Sequence, residues 1–102
     1  MIYVLFEVVI KEEFMDEYFS LAADLKKYLE NCDGFIRSER FSSLIFENKI
    51  LSLSVWKNEE TVSKWHKHTK HRINQNKGKN LMFQSYTITV TSQIRQYGKN
   101  YE

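Results

Sequence analysis

The chain has 102 residues, 42% of them apolar and 27% charged, with no proline, three glycines and one cysteine. That balance and length suit one domain over residues 1–102 that buries roughly two-thirds of its extended surface, and they exclude disordered, low-complexity and disulfide-framework classes. The net charge of +2 is uneven: residues 57–80 hold seven Lys/Arg against two Glu, and the remainder holds eight against eleven Asp/Glu. The basic run either attracts an anionic ligand or is a solvated helix face.

No apolar run nears the roughly 20 residues that span a bilayer, so no membrane partner is expected. The first ten residues carry neither a basic segment nor a small-residue cleavage site, so a secretory leader is not expected. A lone Cys32 fits a reducing cytoplasm.

Ile2–Ile10 is almost continuously apolar and rich in β-branched and aromatic residues, which predicts a strand buried on both faces at the centre of a sheet. Phe14, Tyr18, Leu21, Leu25, Leu29 and Cys32 then recur at spacings of three and four, the stripe of an amphipathic helix. Gly34 stands where a helix C-terminus favours positive φ. Phe35–Phe41 reads as a second strand, Asn48-Lys49 as a turn, and Ile50–Trp56 as a third strand. In that third strand Leu51, Leu53 and Val55 share one face, and Ser52, Ser54 and Trp56 the other. Asn58 is a good N-cap, and Glu59-Glu60 suit the first turn of a second helix. Val62, Trp65, Thr69 and Ile73 form its inner stripe, and Gly78 is a natural stop. Leu81–Tyr97 reads as a long last strand, with Tyr86, Ile88 and Val90 alternating with Thr87, Thr89 and Thr91. Its length suggests an end that reaches beyond its own sheet.

The order is β-α-β-β-α-β. With right-handed crossovers this is an α+β, ferredoxin-like arrangement: a four-stranded antiparallel sheet with two helices on one face. The first strand is apolar on both faces, so the uncovered face needs a partner. A second copy of the chain is the economical solution, and a homodimer with facing sheets is expected.

An RNA-recognition module shares this element order. It needs a basic-Gly-aromatic pattern in the third strand, and Lys49–Trp56 lacks the glycine and the paired aromatics, so no nucleic-acid partner is expected. All three histidines lie in Trp65–His71. His68 and His71 are helical neighbours, His66 points elsewhere, and flanking lysines repel a cation, so no metal site is expected. Cys32 reads as an inert thiol closing a helix stripe. Gly-rich phosphate loops, Ser-centred nucleophile elbows and His-Glu-x-x-His motifs do not occur.

Several segments taken together resemble the antibiotic biosynthesis monooxygenase (ABM) domain family. They are Glu39-Arg40-Phe41-x-Ser43-Leu44, then Lys49–Trp56 followed by Glu59-Glu60, then Trp65, His71-Arg72, Gln75, Phe83-x-x-Tyr86 and Arg95-x-Tyr97-Gly98. The resemblance covers nearly the whole chain. It implies a dimeric α+β barrel, with a pocket between the helices and the sheet of each subunit and a last strand that crosses toward the partner. Some members oxidise phenolic compounds with molecular oxygen and no metal or flavin. On that pattern this chain is expected to be a cofactor-independent monooxygenase of a small aromatic, phenol- or quinol-like compound. A non-catalytic ligand-binding or stress-related module is the alternative. Haem-degrading members use an Asn on the first strand, a Trp on the second helix and an axial His beyond it. Here Trp65 matches, but those other two positions fall on Phe6 and Gln75, so haem is disfavoured and no cofactor is expected.

Within that resemblance Trp65 and His71 are the expected catalytic residues, and Trp65, Gln75, Arg37 and Tyr86 the expected substrate contacts. Trp65 is a pocket wall for a flat ligand or plain core. His71 is a general base near neutral pH or a structural hydrogen bond. Gln75 binds a substrate oxygen or faces water. Alternation sends Arg37 and Arg40 to opposite faces of one strand, and either could neutralise an anionic substrate. It also sends Phe83 and Tyr86 to opposite faces, so that only one of them lines a given pocket.

Overall fold

A computed structural model describes the backbone of residues 1–75 and 82–99, and the side chains of residues 1–70 and 82–99. The elements run β1 (Ile2–Ile10), a 3-10 turn (Glu12–Phe14), α1 (Met15–Glu30), β2 (Phe35–Ser42), β3 (Lys49–Trp56), α2 (Glu59–Gln75) and β4 (Phe83–Ser92). The four strands form one antiparallel sheet in the order β2-β3-β1-β4. This is the ferredoxin-like arrangement, with β1 in the interior as its two apolar faces require.

The connections follow the local chemistry. α1 ends where the Asn31 side-chain amide donates to the Lys27 carbonyl at 3.0 Å. Gly34 then takes φ 83°, and a Cβ there would meet Thr61 Oγ1 at 3.0 Å. Asn48 adopts φ 60° in the β2–β3 hairpin, a conformation that Asn tolerates better than most residues. At the start of α2 the Thr61 backbone N–H donates to Asn58 Oδ1 at 3.2 Å, so the N-cap is formed.

Register decides the two faces of the sheet. Val4, Phe6 and Val8 of β1 lie beside Ser54, Ser52 and Ile50 of β3 and beside Val90, Ile88 and Tyr86 of β4. This is the helix-covered face, because Phe6, Val8 and Ile10 pack with Tyr18, Leu21 and Ala22 of α1, and Val4 packs with Leu29, Val62 and Trp65. Among the described residues the core forms two clusters: one around Phe6, Tyr18 and Phe83, the other around Trp56 and Trp65. The opposite face carries Tyr3, Leu5 and Val9 with Leu51, Leu53 and Val55 in its middle, and Ser85, Thr87, Thr89 and Thr91 along β4. No described element covers it.

Two expectations about β4 need correction. The strand ends at Ser92, not Tyr97. The Gln93 N–H still donates to the Met1 carbonyl at 3.0 Å, and the chain leaves the sheet after it. The second correction concerns Phe83. Val9 pairs with Ser85 but Ile10 pairs with Phe83, so Gln84 is an extra, bulged residue. The bulge resets the alternation and puts Phe83 on the same face as Tyr86, their ring centroids 5.9 Å apart. The expected helix stop at Gly78, and Leu81, lie outside the described residues.

Candidate active site

Between the helices and the sheet lies a cavity of about 380 Å³. It exists because the β2 and β3 residues beneath it are small: Ser38, Ser52 and Ser54 occupy positions where large apolar side chains would fill the layer. α1 supplies the roof with Tyr18, Leu21, Ala22, Leu25 and Leu29, and α2 supplies Trp65 and Thr69. Phe6 and Phe83 also line it, so with Leu29 and Trp65 the cavity borders both core clusters. Lys26 and Arg40 bring positive charge to its edge. Glu39 also borders it, but from a β2 position opposite Leu53, whose side-chain direction is the uncovered face.

The polar groups in this wall differ in how they are satisfied. Ser54 is buried, and its Oγ accepts from the Trp56 indole N–H at 2.9 Å, which fixes the fully buried Trp56. Thr69 is 1% exposed, and its hydroxyl has no hydrogen-bond partner among the described residues. Tyr18 is buried, and desolvation pushes its phenol above the ordinary value of 10.0, opposed in part by the Arg40 charge. At neutral pH the Tyr18 hydroxyl is therefore a proton donor in hydrogen bonds and not a base.

Trp65 is the expected site residue that this cavity contains. It is 5% exposed, lies 6.1 Å from the Trp56 ring, and presents one side to the cavity. Its other side, with Val62 and His66, borders a shallower depression against Tyr86, Ile88 and Val90. Tyr86 is thus separated from the main cavity, although its ring meets Phe6 edge-on at 5.7 Å. Arg37 lies on the uncovered face, in a hollow with Tyr3 and Val55. Of the two arginines it is Arg40, opposite Ser52, that shares the helix-covered face. His71 and Gln75 fall within α2, but their side chains lie outside the described residues. His68 stacks on Tyr28 of α1 at 3.7 Å and 8°, so it belongs to the contact between the helices. Phe6, the position at which the resemblance expects an Asn in haem-degrading members, is a buried aromatic with nothing to donate.

Sequence reasoning missed Tyr18, Ser52, Ser54 and Thr69 as wall residues. A signal for the serines was present: two small polar residues alternate through a strand that is otherwise apolar. What was lacking was the identity of the covered face.

A ferredoxin-like sheet whose helices stand off it to leave a mixed apolar and hydroxyl-lined cavity defines an α+β domain with an internal cavity between its two layers. Comparison with protein families matches residues 1–75 to the family described as Antibiotic biosynthesis monooxygenase, and the chain belongs to that family. A curated relative from Pyricularia oryzae, "Jasmonate monooxygenase ABM", is 34% identical over 87 residues, which is 85% of this chain. The match spans 40% of that relative's length. Among solved structures, a variant of SnoaB, a cofactor-independent oxygenase from Streptomyces nogalater, superposes with a TM-score of 0.77 at 9% identity, covering 96% of this chain and 97% of that one. A family protein from Deinococcus radiodurans gives 0.78 at 15% identity, covering 97% and 98%. A conserved protein from Methanosarcina mazei gives 0.76 at 18%, covering 88% and 89%. At these identities the superpositions establish a shared fold.

Proposed function

We propose that this chain is a cofactor-independent monooxygenase that holds a small aromatic compound against Trp65 in the cavity between helices and sheet. The observation that carries the reading is the cavity itself, an apolar and hydroxyl-lined space with a buried indole as one wall. A planar ring stacks or packs edge-on against such a surface. In this chemistry an activated methylene of a phenol- or quinol-like substrate loses a proton, and the electron-rich anion reduces oxygen directly. The CH2 group becomes a carbonyl, one oxygen atom of O2 entering the product and the other leaving as water with both hydrogens. The protein's tasks are to bind the ring, exclude water and accept the proton. His71 is the proposed proton acceptor and Gln75 a proposed substrate contact, both on α2 beyond Trp65. Tyr18 donates to the developing oxyanion.

We assign the active form as a homodimer. The uncovered sheet face, with Leu5, Leu51 and Leu53 half-buried in its middle, supports pairing with a second copy. Beyond β4, Ile94 and Tyr97 are exposed, as suits a segment that continues onto a partner. A lone, half-buried Cys32 is in keeping with a cytoplasmic setting.

The test is oxygen uptake by purified protein with a panel of hydroxylated anthrones and quinols, in the presence of a chelator. Protein-dependent uptake is expected. Trp65→Phe, which keeps the fold, should lower kcat/KM on the order of tenfold to a hundredfold through misplacement of the ring. If bound compounds are recovered unchanged under oxygen, the chain is a ligand-binding module and the oxygenase reading fails.

A further inference from the structure

We propose that the cavity selects ligands that carry an anionic oxygen group, received by the Arg40 guanidinium at the edge and complemented by the Thr69 hydroxyl in the α2 wall. The inference deepens the oxygenase reading and rests on its placement of substrate in this cavity.

Three observations converge on it. First, Thr69 Oγ1 is a buried polar atom with no partner among the described residues. A buried hydroxyl is normally hydrogen-bonded, and an unpaired one facing a cavity is what a site looks like when its ligand supplies the missing bond. Second, Arg40 lies on the cavity side of β2, with no carboxylate within ion-pair distance among the described residues. Lys26 stands on the α1 side of the same edge. The acidic residue beside them, Glu39, points by strand alternation to the other face, so the local charge at the edge is positive. Third, Tyr18 also lines the cavity, and burial keeps its phenol protonated at neutral pH, so its O–H is a further donor in the wall. An enolate, phenolate or carboxylate suits a cavity with these donors in its wall; a neutral hydrocarbon leaves the hydroxyls and the guanidinium unused. Arg40 therefore does two things in the proposed reaction. It holds the substrate, and it favours the ionised form that reacts with oxygen.

The experiment is calorimetric binding of 2-naphthoate and of 2-naphthamide, which has the same shape without the charge. Wild-type protein should bind the carboxylate about tenfold more tightly, as a charge-assisted bond at a partly exposed arginine allows. Arg40→Gln should bring the two affinities within about twofold, leaving the amide unchanged. Arg40 is exposed, so the variant keeps the fold, which far-ultraviolet circular dichroism checks. Equal affinities in the wild type, a preference that survives in Arg40→Gln, or no binding of either compound at millimolar concentration would each overturn the proposal. The readout needs no turnover. Selectivity without oxygen uptake would sink the oxygenase reading alone, whereas uptake without selectivity would sink this one alone.

Discussion

Thr69→Val replaces the hydroxyl with a methyl group of nearly the same shape and keeps a β-branched residue in α2, so helix propensity and packing are almost unchanged. What changes is the desolvated, unpartnered oxygen in the cavity wall. Leaving a buried polar group unsatisfied costs about 1–3 kcal/mol. The adjoining space of about 380 Å³ is large enough to admit water, which places the effect at the lower end, about 1 kcal/mol. For a domain of this size that is a rise in Tm of about 4–8 °C. The ligand-free variant should therefore be more stable than the wild type, an unusual sign for a change at a residue that is 1% exposed. It should also bind 2-naphthoate more weakly, because the bond that offsets desolvation is gone. Urea and thermal unfolding followed by circular dichroism, beside calorimetric titration, measure both. A loss of stability greater than about 0.5 kcal/mol would mean that the hydroxyl is already satisfied in the free protein, and the reasoning would fail.

Two further predictions address the sheet and the site. Leu53 faces Leu5 across β1 and β3 on the uncovered face. Leu53→Glu would bury an unpaired charge in the proposed dimer, at a cost of about 3–5 kcal/mol, and should shift sedimentation from dimer to monomer at micromolar protein; a dimer that persists would place the interface elsewhere. Burial raises the Tyr18 phenol above 10.0 in the folded chain, so the folded state keeps a proton that the unfolded chain gives up. That contribution to stability is complete below pH 10 and is lost as pH climbs through the raised value. Tyr18→Phe should flatten the alkaline fall in stability, and an unchanged fall would assign it to other groups.

Much of the fold is legible in the chain because burial and period agree there. The two-sided apolar run of β1, the 3-4 stripe of α1, Gly34 and Asn58 each have one physical explanation, and each stands where the pattern puts it. The site is less legible. Strand alternation separates Arg37 from Arg40 and the serines from the leucines of β3, but it does not say which set the helices cover. Here the helices cover the side with small residues, and the leucines are left on the uncovered face. Intuition about apolar faces points the other way, because it assumes that a covered face is a filled one. The parity of Phe83 was unreadable for a different reason: a bulge shifts register without leaving a glycine or proline to mark it.

The bulge at Gln84 bears on how the chain tolerates changes in length. Within a strand, losing one residue normally exchanges inside for outside on one side of the cut. Between Ser85 and Val90 a deletion would trade the row of Tyr86, Ile88 and Val90 against the threonines. At Gln84 the same deletion restores strict pairing: Phe83 moves into the place opposite Ile10 that regular counting reserves for Gln84, still on the side of the helices. Relatives one residue shorter at this point can therefore keep an aromatic in the cavity wall, and an alignment that forces an ungapped β4 onto them would put the wrong side chain there.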